Sequence, residues 1–215
     1  YIRLLYLYPD EISDNLIDLI AKEPRLTPYF DLPIQHASSK VLKAMHRRGD
    51  KTFLKALMEK IRTRVPNAIL RTTLIVGFPG ETEEDFNELM EFIKDVQFDH
   101  LGAFTYSREE DTVSYDYADQ IDEKTKNARY KKLMEAQKKI AYARNKKRIG
   151  QSITGLVVGH NKSSDTYLLR SGFNAPDDID GKIVFSSPKP LRSGDIVAVK
   201  ITGAFIYDLE GELED

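Results

Sequence analysis

The stretch that most limits what this chain can fold into runs from Leu70 to Phe86, Leu-Arg-Thr-Thr-Leu-Ile-Val-Gly-Phe-Pro-Gly-Glu-Thr-Glu-Glu-Asp-Phe. It opens as an apolar, β-branched run (Ile69, Leu70, Thr72 to Val76), the composition of a strand buried on both faces. Gly77-Phe78-Pro79-Gly80 then breaks the run, since two glycines and a proline suit a tight turn with backbone angles that other residues avoid. Thr82 with Asp85 three residues on forms a capping-box pattern that begins a helix, and Phe86, Leu89, Met90 and Ile93 share one face of it. The unit is strand, glycine turn, helix. In parallel α/β folds such a turn lies at the carboxyl end of a strand, where ligands sit. A βα turn that binds nothing has the same spacing. The turn is neither a Walker loop, lacking Gly-Lys-Ser/Thr, nor Gly-x-Gly-x-x-Gly.

The surrounding chain repeats the alternation. Tyr1 to Tyr8 reads as a strand ended by Pro9-Asp10, and Leu16, Ile17, Leu19 and Ile20 line a helix that stops before Pro24. Tyr29 to Gln35 is a short apolar run leading into His36-Ala37-Ser38-Ser39, where a serine caps a helix carrying Val41, Leu42 and Met45. Gly49-Asp50 interrupts that helix, and Phe53, Leu54, Leu57, Met58 and Ile61 form the next, up to Pro66. Phe98 to Tyr106 is a further strand. Successive βα units of this kind predict a parallel sheet with right-handed crossovers.

Asp122 to Arg148 is a long polar helix in which eleven lysines and arginines outnumber Asp122, Glu123 and Glu135. A solvated outer face is the usual explanation, and contact with RNA is the alternative. From Ile149 the pattern changes to short alternating runs: Ser152 to Val158, Thr166 to Arg170, Gly181 to Phe185, Ile196 to Thr202 and Phe205 to Leu209. Turn clusters at Asn174 to Asp178 and Arg192 to Asp195 separate them. Five short strands predict a small antiparallel barrel of OB-like size. The division falls near Ile149-Gly150, giving an α/β domain over 1–148 and a barrel over 149–215.

Composition removes several classes of function. There are no cysteines, so the chain offers no disulfide and no thiolate for zinc or an iron–sulfur cluster. No apolar run approaches the ~20 residues that span a bilayer, and nothing resembles a signal peptide, so the cytoplasm is the expected location. The net charge of −2 does not by itself imply a polyanionic partner. The barrel region carries six basic and ten acidic residues, a net of −4, which is short of the cations that RNA binding needs. Of the four histidines, only His36 follows a strand end. The chain begins at Tyr1 inside an apparent strand, and is expected to be a piece of a longer protein.

Several segments together resemble the radical S-adenosylmethionine methylthiotransferases: Asp31-Leu-Pro-Ile-Gln-His-Ala-Ser38, Val41-Leu-Lys-Ala-Met-His-Arg-Arg48, Ile75-Val-Gly-Phe-Pro-Gly-Glu-Thr82, and Tyr106-Ser107 with Thr112. The terminal barrel resembles their TRAM domain, through Ala175-Pro176, Asp180-Gly181 and Tyr207-Asp208-Leu209 among others. The order holds across almost the whole chain. Gln35-His36-Ala37-Ser38 and Glu109-Glu110-Asp111-Thr112 resemble the branch that modifies a ribosomal protein more than the tRNA-modifying branch. Asp111 departs slightly, standing where that branch often has glycine. The family's N-terminal cluster-binding domain and its Cys-x-x-x-Cys-x-x-Cys loop have no counterpart in this sequence. The fold implied is the C-terminal half of a radical SAM partial (β/α) barrel, its later strands, followed by a TRAM barrel.

The resemblance implies an enzyme that adds a methylthio group to the β-carbon of an aspartate in a basic small-subunit ribosomal protein, with ribosomal RNA near the basic helix. S-adenosylmethionine and iron–sulfur clusters are the implied cofactors, with no metal ligand and no catalytic group in this stretch. The implied cofactor-binding residues are Gln35, His36 and Ser38 toward the ribose or amino-acid end, and Ile75, Gly77, Phe78, Pro79, Gly80 and Glu81 around the adenine. Either Arg47 or Arg71 is the implied partner of the carboxylate, because a guanidinium matches it bidentately. Packing explains Ile75 and Phe78 equally well, capping explains Ser38, and surface charge explains Arg47. Modification of a tRNA adenosine, an ordinary (β/α) barrel enzyme holding a phosphate at the Gly77 turn, and a substrate-binding module are the other readings.

Overall fold

The computed structural model describes residues 1–175 and 179–214. The turn residues Pro176, Asp177 and Asp178 and the terminal Asp215, all counted above, lie outside the described residues. Two units are distinguished, Ile2–Gln137 and the chain from Lys138 onward together with Tyr1.

The first unit is built on four parallel strands in the order β1 (Ile2–Leu4), β2 (Leu26–Asp31), β3 (Ile69–Val76) and β4 (His100–Thr105). Between them run α1 (Asp14–Lys22), α2 (Ser39–Ala44), α3 (Lys51–Arg64) and α4 (Glu83–Val96); α5 (Glu123–Lys146) follows β4, and from Lys138 its residues belong to the second unit. Side chains at the helix starts accept otherwise unpaired backbone N–H groups: Ser13 for α1, Ser38 for α2, Asp50 for α3. For α4 the full capping box forms, with Thr82 accepting from the Asp85 amide and Asp85 accepting in return from that of Thr82. Phe86, Leu89, Phe92 and Ile93 are each at most 1% exposed, and such burial stabilises by about 1.5–3 kcal/mol per side chain.

The two faces of the sheet differ. Phe30, Leu70, Thr72, Leu74 and Val76 point one way and are fully buried. Register pairs Asp31 with Arg71, Arg71 with His100, Thr73 with Gly102 and Ile75 with Phe104, which puts these residues on the opposite face. There Arg71, Thr73 and Ile75 are half-buried and Phe104 is 63% exposed. The expectation of a strand buried on both faces is therefore corrected: β3 alternates, because its second face lines an open cleft.

Three further expectations change. The strand expected over Tyr1 to Tyr8 is only three residues long, because Tyr6 turns to φ 58° and its amide donates to Asp31 Oδ2 at 3.0 Å. The run Tyr29 to Gln35 leaves the sheet after Asp31 and returns at Gln35 alone, whose N–H donates to Thr73 and whose carbonyl accepts from Ile75. The helix Asp122 to Arg148 is present as α5, but it is not solvated all round. Lys126 and Arg129 are 4% and 8% exposed.

In the second unit β5 (Ser152–Asn161), β6 (Thr166–Ser171), β7 (Ile183–Ser186), β8 (Ile196–Ala204) and β9 (Leu209–Leu213) close a barrel in the order β5-β6-β7-β9-β8. All pairs are antiparallel except β7 with β9. Ile153, Val157, Tyr167, Leu169, Ile183, Phe185, Val199, Ile201 and Leu209 fill it at alternate positions of each strand. The last strand lies further on than expected. Phe205 to Tyr207 is the exposed turn before it, fixed by Asn145, whose side-chain amide donates to the carbonyls of Phe205 and Ile206. No helix among the described residues is long and apolar enough to cross a membrane.

Candidate functional site

A cleft of about 700 Å³ opens at the carboxyl ends of β3 and β4. Its floor is Thr73, Ile75, Thr105 and Tyr106, one side is Gln35 with the end of α2 (Ala44 to Arg47), and the other is Phe78, Ser114 and Tyr117. Phe78 meets Tyr106 edge to face at 5.2 Å and Tyr117 at 6.1 Å between ring centroids. A second hollow of about 380 Å³ shares Gln35, Arg47, Thr73 and Phe104 and adds Tyr6, Tyr8 and Arg71.

Of the residues expected to hold a cofactor, Gln35, Arg47, Arg71, Ile75 and Phe78 line these hollows. Gln35 is held at φ 69°, a left-handed conformation that costs a non-glycine residue about 1–3 kcal/mol and clusters at ligand sites. Its Oε1 is buried with no hydrogen-bond partner in the protein. An apolar, aromatic-walled cleft with one unsatisfied amide fits a nucleoside-bearing ligand such as S-adenosylmethionine. Arg71 Nη1 donates to Asp31 Oδ1 at 2.7 Å, and Asp31 is 2% exposed, so this guanidinium is already paired on the cleft side of the sheet. Arg47 lies over the Tyr8 ring at 5.0 Å.

His36, Ser38, Gly77, Pro79, Gly80 and Glu81 lie outside the lining of these hollows, and most of them form a buried polar cluster beside it. Glu81 Oε2 accepts the Gly77 amide at 2.6 Å, its Oε1 accepts from Arg129 Nη1 at 2.9 Å, and its own amide donates to Phe78 O. One carboxylate thus closes the glycine turn on itself. Burial raises the Glu81 pKa against the opposing pull of Arg129 and of the Gly77 and Phe78 amides. His36 is fully buried; its Nδ1 accepts the Ser38 amide at 2.9 Å, which leaves the proton of the neutral ring on Nε2, 3.7 Å from Glu81 Oε2. Burial pushes His36 down to about 4, with Asp85 opposing and Arg129 reinforcing. The Ser38 hydroxyl donates to Asp85 at 2.6 Å. Burial of Asp85 is outweighed by its hydrogen bonds from Ser38, Thr82 and Lys40, which hold it at about 2.

Glycine is required at 77 because φ is 76° and a Cβ there would stand 2.4 Å from Lys126 Cγ. At Gly80 φ is 79°, but no atom lies within 4 Å of where a Cβ would be. The residues that sequence reasoning did not assign to the site include, besides Tyr106 and others of the lining, Thr73, Phe104, Tyr117, Asp31, Lys126 and Arg129. Thr73 and Asp31 were within reach, since period-two alternation from Ile75 and Arg71 leads to Thr73, and pairing of Arg71 leads to Asp31.

This geometry coincides with two family matches: residues 2–93 match the radical SAM superfamily and residues 149–213 the TRAM domain. The chain thus joins a portion similar to the radical SAM superfamily to a barrel similar to the TRAM domain. Over nearly its whole length it is also similar to proteins named ribosomal protein uS12 methylthiotransferase RimO. The one from Desulforamulus reducens is 46% identical over 99% of this chain and 48% of its own length. Those from Geobacter sulfurreducens and Caldicellulosiruptor saccharolyticus are 46% and 43% identical over 99% of the chain. The chain spans about half the length of the curated relatives it matches.

An iron–sulfur cluster does not fit the residues present. The sequence has no cysteine, and no group of three His, Asp or Glu side chains placed to hold a metal occurs among the described residues.

Proposed function

We propose that this chain is part of a methylthiotransferase that modifies the β-carbon of an aspartate in a basic small-subunit ribosomal protein, uS12, in the cytoplasm. The observation that carries the reading is the 46% identity sustained over 214 residues, through both the sheet with its cleft and the barrel. Bound S-adenosylmethionine would supply the methyl group and, given an electron from a reduced iron–sulfur cluster whose ligands are not among these residues, the radical that removes hydrogen from the substrate carbon. The chain's own part is binding and orientation. Ile75, Phe78 and Tyr106 offer apolar surface to an adenine, and the unsatisfied Gln35 Oε1 accepts a hydrogen bond from the ligand. Arg47 is the guanidinium available to a carboxylate in the cleft, while Arg71 is engaged by Asp31. Gly77, Pro79, Gly80 and Glu81, with His36 and Ser38 behind them, hold Phe78 at the cleft rather than touching the ligand.

The barrel supports a protein partner over tRNA. Its net charge of −4 is the wrong sign for phosphates, and the exposed Glu210 and Glu212 of β9 follow the exposed Phe205, Ile206 and Tyr207 in the chain. Complementary charge of that kind speeds encounter with a basic protein more than it deepens affinity. The basic face of α5 would meet ribosomal RNA beside that protein. The test is mass spectrometry of uS12 and of tRNA from a strand-for-strand deletion of the gene and from its parent. A methylthio group lost from an aspartate of uS12 is expected. Intact uS12 with a methylthio group lost from a tRNA adenosine would overturn the proposal.

A further inference from the structure

The helix α5 sends two cations into the interior of the first unit, one turn apart, and the binding roles above do not use them. Arg129 Nη1 donates to both the carbonyl and Oε1 of Glu81, at 3.0 and 2.9 Å, while Glu81 Oε2 accepts the Gly77 amide. Lys126 Nζ donates to the carbonyl of Tyr106 at 3.0 Å and to Glu123 Oε1 at 2.8 Å, and sits 5.3 Å from the centre of the Tyr106 ring. The stem of the same lysine fills the space that a side chain at Gly77 would need. One helix turn therefore grips the loop after β3 and the end of β4 together.

Those two backbone points carry Phe78 and Tyr106, whose rings make the aromatic wall of the cleft. Burying an ammonium costs several kcal/mol unless it is paired, and an apolar side chain would fill the same volume without that cost. Methionine at this position would leave the Tyr106 carbonyl without this donor, and the two strand ends tied by the Tyr106 amide alone, which donates to the Val76 carbonyl at 2.9 Å. The cation supplies direction: its hydrogen bond to the Tyr106 carbonyl adds a second tie to the one from the Tyr106 amide to Val76, and so orients that residue relative to the Gly77 turn.

We propose that Lys126, with Arg129 beside it, is a positioning residue of the cleft, setting the distance between Phe78 and Tyr106 and so the slot that receives a planar ring. The identity of the ligand rests on the function proposed above; the brace itself does not. The experiment compares wild type with Lys126→Met, which keeps the stem and removes the charge, by two measurements. The first is the nuclear Overhauser contact between the Phe78 and Tyr106 rings in the ligand-free protein. The second is S-adenosylmethionine affinity by calorimetry in a double-mutant cycle with Tyr106→Leu.

In a folded Lys126→Met protein the ring contact is expected to weaken and affinity to fall about tenfold, with the loss largely absent in the Tyr106→Leu background. A role confined to stability would lower the melting temperature, leave the ring contact intact and add independently to Tyr106→Leu. Rings unmoved in the folded variant overturn the proposal. Should wild type bind no S-adenosylmethionine, the functional reading fails and the ring contact still decides the brace. Should Lys126→Met not fold, Glu123→Gln takes its place, because it strips the ammonium of its carboxylate from the exposed side. It is expected to shift the same ring signals less, and unchanged signals overturn the proposal.

Discussion

Acidification tests the buried cluster beneath the glycine turn most directly, through His36. The ring is fully buried, its Nδ1 is taken by the Ser38 amide, and its pKa lies at about 4 against 6.5 for an exposed histidine. Between those two values the unfolded chain holds a proton that the folded chain refuses. The folded pKa is the lower one, so this contribution to stability is fully present above pH 6.5 and is lost as pH falls toward 4. At ~1.4 kcal/mol per pKa unit the loss amounts to about 3 kcal/mol across the window, with a steepest slope of ~1.4 kcal/mol per pH unit. Glu81, whose pKa is raised, works in the opposite direction over the acid range. The quantity to measure is therefore the difference between wild type and His36→Gln, which cancels the carboxylate. Urea unfolding should be followed by resolved methyl resonances of Ile93 and Leu74, so that the first unit is read separately from the barrel. The stability difference should shrink by about 3 kcal/mol from pH 7 to pH 4. A difference that does not change with pH, or a His36 Cε1 proton that titrates near 6.5, would refute the burial argument.

Two other comparisons separate roles that the sequence leaves together. Gly77→Ala should lower the melting temperature well beyond Gly80→Ala, since both must hold positive φ but only the first collides with the Lys126 stem; equal losses would count against the packing account. Glu210→Lys with Glu212→Lys should slow association of the protein with uS12 at low salt while changing the unfolding free energy by no more than about 1 kcal/mol, as exposed charges do. An unchanged association rate would remove the electrostatic argument for a protein partner.

Much of the architecture is local, and local rules were enough to read it. The Thr82–Asp85 box, the caps at Ser38 and Asp50, and the four-residue break at Gly77 to Gly80 depend on neighbours within a few positions, so the βα units and the change to short strands after Ile149 follow from sequence alone. The candidate site was legible where it lies at or just past a strand end: Ile75 stands near the end of β3, Phe78 in the turn after it, and Gln35 four residues beyond β2. What the chain order does not encode is which face of a strand meets a helix and which meets a cleft. That is why β3 read as uniformly buried although Arg71, Thr73 and Ile75 face outward into the hollow. The basic helix shows the same limit. Composition makes Lys126 and Arg129 members of a charged run, and only packing reveals that a glycine over 40 residues earlier leaves room for one, that Glu81 pairs with Arg129, and that the Tyr106 carbonyl joins Glu123 in accepting from Lys126. A buried cation is decided by long-range partners, because its charge is tolerable only where distant parts of the chain bring oxygen atoms to it.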